Sequence, residues 1–73
     1  MSAEFLRKLY DMSGGEYKIF DRYKVGGELG ISNSQTDDFV DDLHNMRLIK
    51  KIGTTKILLT FEGKQEAENS KSS

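Results

Sequence analysis

The sequence predicts one α+β domain in which a core of three helices is followed by a two-stranded β hairpin and a short terminal helix. Two stretches of apolar residues recur with helical spacing. Downstream of them, a glycine-centred turn divides two short strand-like runs, 48–52 and 56–60. Helical periodicity followed by hairpin chemistry predicts the α+β class.

The composition limits the chain to a single small unit. Its 73 residues are 36% hydrophobic and 32% charged, which is enough apolar surface for one core. The absence of cysteine excludes disulfides and thiolate metal sites, and no apolar run is long enough for a signal peptide or a membrane span. We therefore expect a cytoplasmic protein with one domain over residues 1–69 and a disordered tail at 70–73.

The first half of the chain predicts two helices and a short connecting strand. A helix over about 3–12, capped by Ser2, carries apolar residues at helical spacing and ends at Ser13, Gly14 and Gly15. Residues 17–20 indicate a brief strand or an extended link, and Asp21 can cap a second helix to about Leu29. Because Gly26 and Gly27 both lie inside this helix, we expect a close helix approach at one of them, with Gly26 the first candidate.

A third helix is predicted from a cap at Ser32 or Ser34 to about Met46. Five residues recur at a period of 3.6 and define its predicted core face, namely Thr36, Phe39, Val40, Leu43 and Met46. After the hairpin, residues 62–68 form a polar stretch with a weak helical tendency.

The segment from Arg22 to Gly63 carries a pattern found in one known fold. Gly26 and Gly30 stand at the two small positions of a helix-turn-helix, with apolar residues beside them. Residues 59–63 read LTFEG and match the "LTxxG" that closes the wing hairpin of small prokaryotic regulators. The chain resembles winged helix-turn-helix repressors of the antibiotic-resistance and arsenic-responsive types. It departs from them at Arg47, where glycine is usual, and at Thr36, where Val or Ile is usual.

The resemblance implies a DNA-binding transcriptional regulator whose third helix is the recognition helix and whose hairpin is the wing. At the start of that helix three uncharged polar residues are candidates for base or phosphate contact: Asn33, Ser34 and Gln35. Four cations in and beside the hairpin are candidates for phosphate contact: Arg47, Lys50, Lys51 and Lys56. The alternatives are that the polar residues are ordinary helix caps and that the hairpin is simply a solvated basic surface.

Charge is segregated along a chain whose net charge is only −1. Four carboxylates lie opposite the core face of the third helix and oppose its deep insertion into DNA, namely Asp37, Asp38, Asp41 and Asp42. Alternatively, these carboxylates form a surface that binds a protein partner or a second copy of the chain. If the chain binds DNA, we expect a homodimer, because a single module of this size binds DNA weakly.

An enzyme is the least supported class. His44 is the only imidazole, and the Asp spacing lacks the glycine and terminal glutamate of a calcium loop. No nucleophile-elbow or phosphate-loop pattern surrounds the serines or aspartates. The sequence predicts no catalytic residue, no metal and no cofactor.

Overall fold

A computed structural model describes the backbone of residues 2–72 and the side chains of residues 2–69. In that part of the chain, four helices and three strands follow one another in the order α1 (Ser2–Ser13), β1 (Ile19–Asp21), α2 (Arg22–Glu28), α3 (Asn33–Asn45), β2 (Ile49–Ile52), β3 (Lys56–Leu59) and α4 (Phe61–Ser72). The predicted α+β class is confirmed. None of the described helices is both long enough and apolar enough to cross a bilayer.

The three strands form one antiparallel sheet with the order β1-β3-β2. β2 and β3 are the predicted hairpin, joined at Gly53, which takes a positive φ of 61°. The brief strand expected near residues 17–20 is β1, and it pairs with β3 from Ile19 opposite Leu58 to Asp21 opposite Lys56. The strand that precedes α2 is therefore hydrogen-bonded to the second strand of the hairpin.

Side chains from α1, α2, α3 and the inner face of the sheet meet in one apolar core. Phe5 and Leu9 of α1 are fully buried, and the Phe5 ring lies 6.5 Å from the ring of Phe39 on α3, centroid to centroid. The other buried apolar side chains are Leu6, Val25, Val40, Leu43, Ile49, Ile57, Leu59 and Ala67. The predicted core face of α3 is confirmed at Val40 and Leu43, and Phe39 packs partly buried against the cluster.

Met46 is an exception to the predicted core face. It is the C-cap of α3, and its side chain is 52% exposed. Helical spacing places it on the core side only if the helix continues, whereas the backbone turns away after Asn45. The prediction of a buried Met46 is therefore wrong.

The predicted close approach at Gly26 is confirmed. A Cβ placed there would lie 2.0 Å from Oγ1 of Thr36 on α3, whereas one placed on Gly27 would meet open space. Thr36 is fully buried, and its hydroxyl donates a hydrogen bond to the carbonyl of Ser32 at 2.9 Å. Glycine on α2 and threonine on α3 thus bring the two helices together, with the buried hydroxyl satisfied within its own helix.

α2 and α3 end with the same backbone motif but different residues. At the end of α2, Gly30 has a φ of 71° and the amide of Ile31 bonds back to the carbonyl of Gly26. At the end of α3, Arg47 has a φ of 64° and the amide of Leu48 bonds back to the carbonyl of Leu43. Both are Schellman ends, which favour glycine in the left-handed position. Arg47 accordingly takes the left-handed position that glycine usually occupies at such a helix end.

α4 is longer than the weak helical tendency of residues 62–68 indicates. The hydroxyl of Thr60 accepts from the amide of Gly63 at 3.0 Å and donates to the carbonyl of Arg47 at 2.9 Å, which joins the start of α4 to the end of α3. Ala67 is buried against the rest of the core. The helix runs to Ser72, three residues beyond the predicted domain end at 69, and Ser73 of the predicted tail lies outside the described residues.

Candidate nucleic-acid interface

The first turn of α3 gives one of the three predicted polar residues a capping role. Ser32 is the N-cap, and its hydroxyl accepts from the amide of Gln35 at 3.1 Å. The Gln35 side-chain oxygen in turn accepts from the amide of Ser32 at 3.3 Å, which completes a capping box. Gln35 therefore has the capping role given as the alternative for it, and all three residues are exposed at the helix end.

A buried arginine holds the turn of the hairpin near this end of α3. The Arg22 side chain is 8% exposed, and its backbone amide and Nε both donate to the carbonyl of Thr55, at 2.9 and 3.2 Å. Its Nη1 lies 3.5 Å from Oδ1 of Asp37, which also accepts from the Tyr23 hydroxyl at 2.9 Å. This hydrogen bond to Asp37 raises the pKa of Tyr23 above its usual value. The Arg22 cluster links α2, α3 and the hairpin turn.

Two of the four cations predicted to contact phosphate form ion pairs within the chain. Lys51 on β2 donates to Oδ1 of Asp41 on α3, and this hydrogen bond lowers the pKa of the Asp41 carboxyl below its usual range. Lys56 on β3 lies 3.8 Å from Oδ2 of Asp21, its partner across the sheet. Asp21 also caps α2 by accepting from the amide of Tyr23 at 2.8 Å. Lys51 and Lys56 therefore already have anionic partners.

The other two predicted cations, Arg47 and Lys50, lie around a groove at the carboxyl end of α3. The groove has a volume of about 280 Å³, and its other lining residues are His44, Ile49, Thr60 and Glu62. Because a helix of 13 residues is about 20 Å long, this groove is separated from Asn33 and Ser34 by most of the length of α3. Arg47 and Lys50 therefore lie at the opposite end of the helix from Asn33 and Ser34.

The four aspartates of α3 do not form one uniform acidic surface. Asp37 and Asp41 interact with Arg22 and Lys51, so each has a cation beside it. Asp38 and Asp42 are exposed, and their side chains have no ion pair or hydrogen bond among the described residues. The uncompensated charge on this helix is therefore confined to Asp38 and Asp42, which are four residues apart and lie on one face.

Sequence reasoning did not identify Arg22 or Tyr23 as residues of this region. Their contacts reach Asp37, 15 and 14 positions along the chain, and Thr55, 33 positions from Arg22. A local pattern carries no signal for such contacts. An arginine directly after a helix-capping aspartate is an ordinary surface residue until the hairpin folds back onto it.

Searches of protein-family models, of curated proteins and of solved structures find no match to this chain. Among the described side chains, no three His, Cys, Asp or Glu residues lie close enough together to hold a metal ion.

Proposed function

We propose that this chain is a winged helix-turn-helix domain that acts as a small cytoplasmic transcriptional regulator by binding double-stranded DNA. The observation that carries the proposal is the position of the hairpin turn, which Arg22 holds beside the amino-terminal half of α3. In the proposed complex the start of α3 enters the major groove and the hairpin serves as the wing on the adjacent backbone. The element order and the β1-β3-β2 sheet agree with this architecture.

The residues at the start of α3 suit base or phosphate contact. Asn33 and Ser34 are exposed and uncharged, and the amides of a helix N-terminus favour an adjacent phosphate. Asp38 and Asp42, further along the helix, would repel the phosphates if the whole helix entered the groove. We therefore propose that α3 meets DNA with its amino-terminal end rather than along its length.

The proposed phosphate contacts come from the hairpin and its base. Lys51 and Lys56 lie near the turn, and Arg47 and Lys50 offer a second contact at the far end of α3. Because one such module makes few contacts, we propose that two copies bind together as a homodimer on two half-sites.

The test is a titration of labelled duplex DNA at low and at moderate salt, followed by amide chemical shifts. Binding that weakens with salt, together with shifts at Asn33, Ser34 and the hairpin, is the expected result. Replacing Lys50, Lys51 and Lys56 by Gln should flatten the salt slope by about one phosphate equivalent for each lysine that binds a phosphate. Lys8→Gln on α1 is the charge-matched control and should leave the slope nearly unchanged. Salt-independent binding, or no binding at low salt, would contradict the proposal.

Asp38 and Asp42 support a second candidate function, a protein-interaction module with a basic partner. Both carboxylates are exposed and without an internal partner among the described residues, as a surface for intermolecular ion pairs requires. Changing both to Asn should strengthen DNA binding if the chain binds DNA, since two repulsive charges are removed. The same change should weaken capture of a basic partner if the alternative holds, with DNA binding negligible throughout.

A further inference from the structure

We infer that Asp41 is an internal competitor of phosphate: it occupies Lys51 and so reduces the capacity of the hairpin to bind the DNA backbone. This inference rests on the proposed function, because it concerns one of the phosphate contacts proposed above. It assigns to a single carboxylate of α3 an inhibitory role that its exposed neighbours do not share.

The contact joins the two elements that would meet DNA together. Lys51 projects from β2 to Asp41 in the middle of α3, ten positions earlier in the chain, and its ammonium donates directly to the carboxylate. A carboxylate and a phosphate oxygen offer the same kind of charged acceptor to a lysine. A phosphate that approaches this part of the hairpin therefore competes with Asp41 for the same ammonium group.

Exposure makes this pair exchangeable. The side chains of Lys51 and Asp41 are 36% and 56% exposed, whereas the Arg22 side chain in the other α3 ion pair is 8% exposed. Water can take over the hydrogen bonds of an exposed pair when it opens, so such pairs hold their partners weakly. The buried guanidinium has no such replacement. Lys51 can therefore leave Asp41 for phosphate, while Arg22 keeps the hairpin turn in place.

Asp41 and Asp38 form a matched pair for testing this inference. Both are exposed carboxylates on α3, three residues apart, but only Asp41 holds a lysine. Removing the charge of Asp38 relieves repulsion alone. Removing the charge of Asp41 relieves repulsion and also releases a cation to the ligand.

The experiment compares Asp41→Asn with Asp38→Asn, after amide spectra have shown that both variants are folded. The side-chain signals of Lys51 are followed in titrations with inorganic polyphosphate, and DNA affinity is measured at several salt concentrations. We expect Lys51 to respond at lower polyphosphate concentration in Asp41→Asn than in either the wild type or Asp38→Asn. DNA affinity should rise up to about five-fold more in Asp41→Asn than in Asp38→Asn. Only Asp41→Asn should steepen the salt slope, by about one phosphate equivalent.

The two readouts separate the inference from the proposed function. Equal responses of Lys51 to polyphosphate in the two variants would overturn the inference. A lower polyphosphate requirement in Asp41→Asn, with no DNA binding by any form of the protein, would support competition at Lys51 and overturn the proposed function.

Discussion

The two sides of α3 are attached to the rest of the molecule by different physical means. On the core side the contacts are steric and apolar: Thr36 packs closely against Gly26 of α2, and Leu43 is fully buried. On the side that faces the hairpin turn the contacts are ionic, through Asp37 to buried Arg22 at the start of α2, which also binds the turn, and through Asp41 to exposed Lys51 on β2. One helix is thus packed on one side and held by charge on the other.

This difference predicts which substitutions on α3 change the stability of the fold and which change its interactions with ions. Removing or adding atoms at a buried apolar side chain lowers the free energy of unfolding sharply, because the surrounding core relaxes only partly. Exposed ion pairs contribute little to stability, and their charges remain available to other ions. We therefore expect substitutions on the core side of α3 to alter folding, and substitutions on the hairpin side to alter mainly electrostatic behaviour.

The largest effect should follow removal of buried volume from the core side. Leu43→Ala should destabilise the domain by about 2–5 kcal/mol, because apolar burial is reduced and a cavity is left behind. Met46→Ala is the control, because Met46 belongs to the same predicted stripe but is half exposed, and it should cost about 0.5 kcal/mol or less. Urea unfolding of both variants measures the difference. Equal midpoints would show that Leu43 is not a core residue.

Adding volume between α2 and α3 should have the next largest effect. Gly26→Val should cost about 1–3 kcal/mol, because its Cβ would collide with the buried Thr36 hydroxyl. Gly27→Val adds the same atoms in open space one position along the helix and should be tolerated. Thermal unfolding compares the two variants. A Gly26→Val protein as stable as the Gly27→Val protein would contradict the close approach of the two helices.

The ends of α2 and α3 allow a reciprocal exchange with a smaller expected effect. Arg47→Gly should stabilise the domain by about 0.5–1 kcal/mol, because glycine takes a positive φ without the steric cost that a side chain adds. Gly30→Arg should destabilise it by a comparable amount for the converse reason. Measurement of both unfolding free energies tests the pair. A loss of stability in Arg47→Gly would mean that the Arg47 side chain contributes more than its backbone strain costs.

The smallest effect on stability should come from the exposed ion pair, and it should depend on pH. Lys51 lowers the pKa of Asp41 in the folded protein, so the contribution of this pair is present above the unfolded-state pKa of about 4. It is lost as the pH falls through the lower folded-state pKa. In Lys51→Gln the pKa of Asp41 should rise towards its usual value, and the acid limb of the stability curve should become less steep. Carboxyl NMR titration of the wild type and the variant provides the measurement, and an Asp41 pKa unaffected by Lys51→Gln would contradict the ion pair.

Several features of this protein follow from local sequence alone. Apolar spacing predicted α1 and α3, the Asp21 cap predicted the start of α2, and Gly53 predicted the hairpin, because each signal lies within a few residues of its effect. The close approach at Gly26 was also predictable, since an internal glycine in a short helix is costly unless packing compensates for it. In β3, the alternation of strand residues places Ile57 and Leu59 in the core and leaves Lys56 exposed.

Tertiary structure alone decided how the charges of the candidate site are arranged. The sequence predicted four aspartates of one kind and four cations of one kind. Folding instead pairs Asp37 with Arg22 and Asp41 with Lys51, and leaves Asp38 and Asp42 without an ion pair among the described residues. The physical reason is distance along the chain. An ion pair forms between groups that the fold brings within a few ångströms, and the Arg22 and Lys51 contacts exist only after α2 and the hairpin have packed beside α3.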